Sequence, residues 1–450
     1  MLLDVNNTKI QLRFQQYVCK KFRFENNDKE LWLDFKSEQE SKEVFCIYCG
    51  KNTVEVHDNY TTKLIDMPIW PGVKQLLSVT YHKYKCRCCH KVFNEDICFK
   101  DPDARVTTRA AQCVKTLLSF GLAISSVSQF TGIHWDTICK IHTRVMEDAL
   151  ETRARLLKEQ GYKPTYLAVD EFAIHKGHTY ATCVMDLETG DVLWVGKGRA
   201  TEDFRKFFLE YDMDYLSNVK AFAMDMNASY NKLVEEYMPE VDIVYDRYHM
   251  QAQFGKEVLG VVRLNEARKH QEIAKDIKEI REEETDPEIR RKLKAEYKEE
   301  QKMYSTLKNS RWSILTNSKN LSDSRKTALD TILEEHNDLA VCYAMKEEMC
   351  RLFELRDPDE ARNRWIAWFE AAKESGIGAL VHFAKHKEKR LEGLISHATY
   401  PISTGKLEGL NNKIKVAKRV GYGYRNDNYF FILVRYISIP HNFMLIPQKT

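Results

Sequence analysis

Three acidic side chains in separate stretches of this sequence have the residue type and the setting of ligands for divalent metal ions. Asp170 and Asp225 each follow a short apolar run, and Glu408 opens a basic segment far downstream. Carboxylate oxygens are the ligands that Mg²⁺ and Mn²⁺ prefer, and these ions keep positions open for water and phosphate oxygens. Two such ions about 4 Å apart activate a hydroxyl nucleophile and stabilise the leaving oxygen of a phosphodiester. Two aspartates are too few ligands for two ions, so we predict that Glu408 completes the site.

The segment around Glu408 is rich in positive charge. Between Thr404 and Asn426 it holds six basic residues and a single acid, Glu408. In a helix over this segment, the face that carries Glu408 also carries Asn411, Asn412, Lys415 and Arg419, at i+3, i+4, i+7 and i+11. Because lysine and arginine neutralise DNA phosphates, we predict a DNA-contacting face here. The residues that we predict to contact DNA are Asn412, Lys415 and Arg419 on this face and Arg425 further along the basic segment.

Three further residues near the predicted acids have a supporting or competing role. Glu171 is the alternative to Asp170 as a metal ligand. We favour Asp170, because it directly follows the apolar run. Asp246 follows another apolar run, where an aspartate commonly caps the next helix, and we favour that structural role. His249 is either a core histidine or a group near the scissile phosphate, and we prefer the second interpretation. For Asp225, two interpretations stay open, a cap of the following helix and a metal ligand.

Two cysteine pairs have the spacing of a structural zinc site. The pairs are Cys46-Ile-Tyr-Cys49 and Cys86-Arg-Cys-Cys89. Each pair aims two thiolates at one tetrahedral Zn²⁺, and two pairs close the coordination shell, which predicts a structural ion. Cys88 competes with Cys89 for one position, and the C-x-x-C spacing favours Cys89. Strand-like runs between the pairs, such as Gln75–Tyr84, predict a hairpin that connects them.

A helical region after the cysteine pairs has the pattern of a helix-turn-helix. A helix over Thr107–Phe120 is followed by a short helix that ends at Gly132 and by a helix that starts near Thr137. This pattern matches a DNA-reading motif, although any three-helix bundle gives similar spacing. We predict DNA contacts from two groups of side chains. They are Lys83, Lys85 and Arg87 beside the second cysteine pair, and Thr137, Lys140 and Arg144 on the last helix.

The elements that position the acids form an α/β pattern over residues 164–255. Strand-like and helical segments follow one another in the order β-β-β-α-β-α-β-α. The predicted strands are 166–169, 179–185, 191–195, 219–224 and 241–245, and the first two predicted helices are 201–215 and 228–237. Ligands of open α/β sheets gather outside the carboxyl ends of the strands. This order, with an acid after the first and fourth strands, is that of a ribonuclease-H-like fold.

The remaining segments and the composition limit the class of protein. The 450 residues, 43% hydrophobic and 30% charged, suggest a globular protein of about three domains. Apolar runs are too short to span a bilayer, and Met1–Asp4 lacks the pattern of a secretory signal. We predict one short helix within residues 1–40 and a helical pattern throughout residues 256–400. Within that helical region, Trp312 stacks on an extruded base or, as we prefer, is a buried core residue.

Four blocks of sequence together resemble the DDE transposases of the bacterial ISL-three (ISL3) insertion-sequence family. They cover nearly the whole chain in the right order, and the second and fourth blocks are specific to this family. The blocks are the two cysteine pairs, Asp170-Glu-Phe-Ala-Ile-His-Lys-Gly-His-Thr-Tyr-Ala-Thr, Asp225-Met with Asp246-Arg-Tyr-His249, and Gly405-Lys-Leu-Glu408-Gly-Leu-Asn-Asn-Lys-Ile-Lys with Gly423-Tyr-Arg-Asn426.

The resemblance implies a multidomain α+β chain in five segments. They are a zinc-binding domain (1–100), a helix-turn-helix domain (101–160), the first part of a ribonuclease-H-like core (161–255), an all-α insertion (256–400), and the final core helix with a C-terminal tail (401–450). It also implies that Asp170, Asp225 and Glu408 hold two Mg²⁺ or Mn²⁺ ions, and that one Zn²⁺ is structural.

The activity implied by the resemblance is DNA transposition. Such an enzyme binds the terminal inverted repeats of its element, hydrolyses a phosphodiester there and joins the freed 3′ end to target DNA. We therefore expect double-stranded DNA as partner, a homodimer or higher assembly on DNA, no membrane partner and a bacterial cytoplasmic location. The alternatives are a DNA-binding regulator that keeps the fold without transposing and a nuclease that cuts without joining.

Overall fold

The computed structural model describes residues 13–69, 72–175, 177, 179–316 and 320–440. The chain divides into two compact units. Unit 1 contains the described residues up to Leu157 together with Lys413–Ile437, and unit 2 contains Lys158–Asn412 and the described residues from Ser438.

Unit 1 contains a six-stranded sheet in which the two longest strands pair antiparallel. The strand order is β1-β2-β3-β5-β4, and β6 pairs with β5. The strands are β1 (Arg13–Phe14), β2 (Tyr17–Glu25), β3 (Glu30–Ser37), β4 (Val54–Asp66), β5 (Lys74–Cys86) and β6 (Val92–Asn94). The antiparallel pair β4–β5 is the hairpin predicted between the cysteine pairs.

The helix predicted within residues 1–40 is wrong for the described part of that segment, because residues 13–37 form three strands. Apolar and basic residues alternate at the end of β2, where Phe22 and Phe24 flank Arg23. Such a period of two is the pattern of a strand. Residues 1–12 lie outside the described part of the chain.

Three helices follow the sheet and share one small core. They are α1 (Thr108–Ser119), α2 (Ile124–Thr131) and α3 (Trp135–Glu159), and their core includes Val114, Val127 and Ile138. Helix α2 ends before Gly132, as predicted, and the φ of +68° at this residue is one that glycine adopts without strain. Helix α3 is longer than the predicted helix that starts near Thr137.

A buried carboxylate joins the sheet of unit 1 to α1. Asp66, at the end of β4, accepts hydrogen bonds from Gln75 Nε2 (2.6 Å), Thr107 Oγ1 (2.6 Å) and Arg109 Nε (2.7 Å). Thr107 in turn caps α1, because its side chain accepts the N–H of Ala110.

We expect Asp66→Ala to lower the free energy of unfolding of unit 1 by about 1–3 kcal/mol, because it leaves the buried side-chain donors of Gln75 and Thr107 without their acceptor. Urea unfolding followed by circular dichroism measures the change. Glu40→Ala, which removes an exposed ion pair with Lys42, is the control and should leave the unfolding midpoint unchanged. Equal midpoints for the two variants would contradict this role of Asp66.

Unit 2 contains a five-stranded mixed sheet in the order β11-β10-β7-β8-β9. Strands β11, β10 and β7 are parallel, and β7, β8 and β9 are antiparallel. The elements are β7 (Tyr166–His175), β8 (Thr179–Asp186), β9 (Val192–Lys197), α4 (Thr201–Glu210), β10 (Ala221–Met224), α5 (Ala228–Tyr237), β11 (Asp242–Tyr245) and α6 (Arg247–Phe254). Their order along the chain is the predicted one.

One boundary in this sheet differs from the prediction. Strand β7 does not end before Asp170 but continues to His175, because residues 170–175 keep pairing with β8 after β10 has ended. Asp170 therefore lies within a strand, whereas Asp225 directly follows one.

The rest of the described chain is helical, as predicted for residues 256–400. A π-helix at Gly255–Leu259 connects α6 to the next helix. The helices are α7 (Gly260–Glu283), α8 (Pro287–Asn309), α9 (Arg311–Leu315), α10 (Asp323–Glu335), α11 (Asn337–Leu352), α12 (Pro358–Glu374), α13 (Gly378–Lys387), α14 (Leu391–Thr399), α15 (Gly405–Val420) and α16 (Asp427–Ser438). Among the described helices, none has the length and apolar character needed to cross a membrane.

The prediction that Trp312 is buried is wrong. Its side chain is 68% exposed on the short helix α9, whereas Trp365 and Trp368 fill the core of this helical region. The prediction used the high average burial of tryptophan in proteins, and this average does not distinguish an individual exposed tryptophan from a buried one.

Candidate active site and cysteine cluster

Two neighbouring parallel strands bring Asp170 and Asp225 to the same level of the unit 2 sheet. Ala168 on β7 pairs with Ala223 on β10. Each aspartate comes two residues after this pair, so the strand register brings the two residues to the same level at this edge of the sheet. Both aspartates are half-buried.

Asp170 is fixed by two hydrogen bonds. Its Oδ1 accepts the backbone N–H of Glu171 at 2.8 Å, and its Oδ2 accepts Nδ2 of Asn411 at 3.0 Å. Burial raises the pKa of Asp170, because a carboxylate loses solvation there. The Asn411 contact links residues 241 positions apart and lies on α15, the helix that carries Glu408.

Asp225 does not cap the helix that follows it. Helix α5 is capped by Asn227, whose Oδ1 accepts the N–H of Ser229 at 2.9 Å. Asp225 Oδ1 instead accepts the N–H of Met226 at 2.6 Å. The cap interpretation of Asp225 is therefore wrong.

Glu408 is exposed in the first turns of α15, between two residues that bind the sheet. Four residues earlier, the hydroxyl of Thr404 donates to Oδ2 of Asp246, and three residues later Asn411 donates to Asp170. Residues spaced by four and three lie on one face of a helix. Lys406 Nζ adds a third contact, to the carbonyl oxygens of Leu187 and Glu188.

Asp246 caps α6, which confirms its predicted structural role. Its Oδ1 accepts the N–H of Tyr248 at 3.1 Å, and its Oδ2 lies 3.2 Å from Nδ1 of His249. The contact with Asp246 raises the pKa of His249 to about 9, and the charges of Asp225 and Asp170 act in the same direction. His249 is therefore a half-buried cation in the field of the predicted metal ligands.

Glu171 has partners of its own on α5. Its Oε1 accepts the hydroxyl of Tyr230 at 2.6 Å and Nδ2 of Asn227 at 3.4 Å. These bonds hold Glu171 toward α5, while Asp170 is bonded to α15.

Sequence reasoning missed two polar residues beside Asp225. Gln253 Nε2 lies 3.4 Å from Asp225 Oδ1, and Lys387 Nζ donates to Oε1 of Gln253. Burial lowers the pKa of Lys387, although the charges of Glu257 and Asp225 oppose this shift. Gln253 follows His249 by four residues on α6, a spacing that places both on one face. Lys387 has no comparable signal in the sequence.

The four cysteines of the two pairs form one cluster in unit 1. Their sulfur atoms lie within 4.8 Å of one another, and the members are Cys46, Cys49, Cys86 and Cys89. Cys88 is exposed and outside the cluster, which agrees with the preference for Cys89. The N–H groups of Tyr48 and Cys88 donate to sulfur at 3.4 Å each. A set of four thiolates in this arrangement fits a tetrahedral Zn²⁺.

One thiol of the cluster is more acidic than a free cysteine. Hydrogen bonding from the Thr53 hydroxyl, together with backbone N–H groups, lowers the pKa of Cys86. A thiolate is the form that binds metal, so this environment prepares Cys86 as a ligand.

Comparison with known proteins identifies the family. The family model for ISL3-type DDE enzymes, described as "Transposase", matches residues 167–434. This chain belongs to the ISL3 family of DDE transposases. The transposase for insertion sequence element IS1001 of Bordetella parapertussis is 32% identical over 395 residues, covering 88% of this chain and 89% of the relative. The transposase for IS1557 of Mycobacterium tuberculosis is 23% identical over 329 residues, covering 72% and 68%.

Membership of this family makes the chain a DNA transposase and implies divalent metal ions. One feature beside Asp170 fits such an ion, a buried oxygen that is available as an additional acceptor or ligand. Within the described residues, buried Oδ1 of Asn411 has no hydrogen-bond partner and remains an acceptor beside Asp170. Asp170, Asp225 and Glu408 do not form a group as tight as that of the four cysteine sulfur atoms.

The residues of the ISL3 transposase that we predict to contact DNA differ in exposure. Lys140, Arg87, Asn412, Lys415, Arg419 and Arg425 are exposed, whereas Lys83, Lys85, Thr137 and Arg144 are half-buried. The Lys83 ammonium lies 5.0 Å from the ring centroid of Tyr60.

Two of the predicted arginines form ion pairs inside unit 1. Arg87 binds Glu55 at 2.8 Å, and Arg144 binds buried Asp101 at 2.6 Å as well as Asp103 at 2.5 Å. The buried partner gives Arg144 a role in folding. Its contact with DNA stays a prediction.

Proposed function

We propose that this transposase cuts DNA at the ends of its element and joins the freed 3′ ends to target DNA at a site formed by Asp170, Asp225 and Glu408. The observation that carries this proposal is the hydrogen bond from Asn411 to Asp170. It attaches the helix of Glu408 to the strand of Asp170.

The chain's own residues have separate tasks in this proposal. Asp170, Asp225 and Glu408 supply hard oxygen ligands for Mg²⁺ or Mn²⁺. When bound, these ions supply Lewis-acid stabilisation of charge on the nucleophile and on the transferred phosphate. His249, kept protonated by Asp246, donates a hydrogen bond to a phosphate oxygen. Glu171 supports the site through its bonds to α5.

We further infer that unit 2 has a ribonuclease-H-like core. The strand order β11-β10-β7-β8-β9, with three antiparallel and two further parallel strands, supports this assignment. Helices α2 and α3, separated by the turn at Gly132, support a helix-turn-helix that reads the terminal inverted repeats. The cysteine cluster would hold one structural Zn²⁺. We expect the enzyme to work in the bacterial cytoplasm as a homodimer or larger assembly, because two element ends must be joined.

The test is strand cleavage and joining on a labelled duplex that carries one element end. With Mg²⁺ and a supercoiled target plasmid, we expect nicks at the element boundary and label transferred to the plasmid. Binding of end DNA without cleavage would favour the regulator. Cleavage without joined product would favour a nuclease.

The exposure of Trp312 favours the alternative in which it stacks on an extruded base. The guanidinium carbon of Arg311 lies 5.3 Å from the centroid of its ring. Two buried cations hold the backbone on either side of Trp312, one at the end of α8 and one at the end of α9. Arg263 donates to the carbonyl oxygen of Leu307 at 2.7 Å, and Lys346 donates to that of Ile314 at 3.2 Å. A rigid platform with a flanking cation suits an unpaired base.

We expect Trp312→Ala to slow strand cleavage by about 10-fold, because one base stacked on an aromatic ring contributes ~1–3 kcal/mol. Trp312→Phe should retain most of the rate. The fluorescence of 2-aminopurine at the element end should rise with wild-type enzyme and not with Trp312→Ala. Leu209→Ala, at an apolar side chain of equal exposure, is the matched control. An unchanged rate combined with a changed oligomeric state would make Trp312 an interface residue instead.

A further inference from the structure

The contact between Thr404 and Asp246 is a long-range bond at the entry of α15. Thr404 is 5% exposed and Asp246 is 4% exposed, although both are polar. They lie 158 positions apart, and the Thr404 hydroxyl donates to Oδ2 of Asp246. Both residues belong to unit 2, as does Glu408.

Thr404 occupies the position just before α15, and its carbonyl oxygen accepts the N–H of Glu408 at 3.0 Å. The hydroxyl of a threonine at such a position ordinarily accepts an N–H of its own helix. Here the hydroxyl is used as a donor to another element. The first turn of α15 is thereby tied to the end of β11, the strand that Asp246 follows.

The bond defines one end of a short, fixed segment. Asn411, seven residues after Thr404, donates to Asp170 at the other end. Leu407 and Leu410 are buried between the two contacts. Glu408 lies between the contacts and is exposed, and it is bonded to neither Asp170 nor Asp225, so its position depends on the helix that carries it.

We propose that Thr404 is a positioning residue that, through Asp246, sets the location of Glu408 relative to Asp170 and Asp225. This inference rests on the proposed role of Glu408 as a ligand. Metal ligation and phosphoryl transfer tolerate little displacement of a ligand, so a loose helix start weakens metal binding before it weakens DNA binding. Partners that orient metal ligands typically change metal affinity or activity by 10–100-fold.

The test compares Thr404→Val, which keeps the shape and loses the hydroxyl, with Thr404→Ser, which keeps the hydroxyl. Strand cleavage on end DNA is measured across a series of Mg²⁺ and of Mn²⁺ concentrations. We expect the half-saturating Mg²⁺ concentration of Thr404→Val to rise by about 10-fold or more. Thr404→Ser should stay within about 2-fold of wild type. Affinity for end DNA and the melting temperature report whether the fold is intact.

Two results would overturn the inference. One is a wild-type metal requirement for Thr404→Val, and the other is an equal shift for Thr404→Ser. Where Thr404→Val does not fold, Asp246→Asn takes its place and the same shift is expected. Tyr248 donates to Oδ1 of Asp246 and Thr404 donates to Oδ2, and asparagine replaces one of these oxygens by an amide nitrogen that cannot accept.

Glu408→Gln, assayed in parallel, separates failure of this inference from failure of the proposed function. If Glu408→Gln cleaves like wild type, the proposed ligand set is wrong. If Glu408→Gln is inactive and Thr404→Val has the wild-type metal requirement, only the positioning role is wrong.

Discussion

Glu408→Gln, Asp170→Asn and Asp225→Asn should each reduce strand cleavage at the element end by on the order of 10³-fold, because loss of one metal ligand removes several kcal/mol of charge stabilisation in the transition state. Each change keeps the shape of the side chain and removes its charge. Single-turnover cleavage of labelled end DNA measures the rate, and a gel-shift assay shows whether binding of the end is retained.

Two further variants make this experiment specific for metal ligation. Glu240→Gln, at an exposed acid in the turn before β11, is the matched control and should cleave like wild type. Asp225→Cys should be inactive with Mg²⁺ and partly active with Mn²⁺, because a thiolate is a poor ligand for the harder ion. Wild-type cleavage by any of the three acid variants would remove that residue from the proposed ligand set.

Cys86→Ser should abolish specific binding of end DNA. Zn²⁺ in small structural sites contributes about 10–16 kcal/mol of apparent binding free energy, which is also folding free energy. The cluster lies where β5 ends and where the residues before β4 meet it, so loss of the ion should unfold this part of unit 1. Elemental analysis should give one zinc per chain for wild type.

Cys88→Ser is the matched control, since Cys88 is two residues from Cys86 and lies outside the cluster. This variant should retain both zinc and DNA binding. Treatment of wild type with a strong chelator should reproduce the effect of Cys86→Ser, and added Zn²⁺ should reverse it. Full zinc content in Cys86→Ser, or its loss in Cys88→Ser, would contradict the assignment of the ligands.

Local patterns predicted the elements of unit 2 and the alignment of two acids. Short apolar runs identified the strands that precede Asp225 and Asp246, and their order along the chain agrees with the structure. The same reasoning ended β7 too early. Polar residues interrupt its apolar run at Asp170, although pairing with β8 continues. The hydrophobic pattern of a sequence indicates which residues are buried. Where a strand becomes only half-buried, this pattern stops, and the strand is predicted to end there although its pairing continues.

Contacts between distant segments were beyond reach of the sequence. Periodicity placed Asn411 and Asn412 on the side of Glu408 without showing which one meets the sheet, and the structure assigns that contact to Asn411. The role of Thr404 has no signal in the sequence, because its partner Asp246 lies 158 positions away. A single sequence contains no local trace of such a bond.

The protonated imidazole of His249 acts as a resident counter-ion for the acids around it. Because Asp246 keeps its pKa near 9, this charge is present at neutral pH before any metal arrives. Mutual repulsion between the carboxylates is thereby reduced in the metal-free enzyme. A metal ion that enters the site therefore meets the positive charge of His249 as well as the negative charges of the carboxylates.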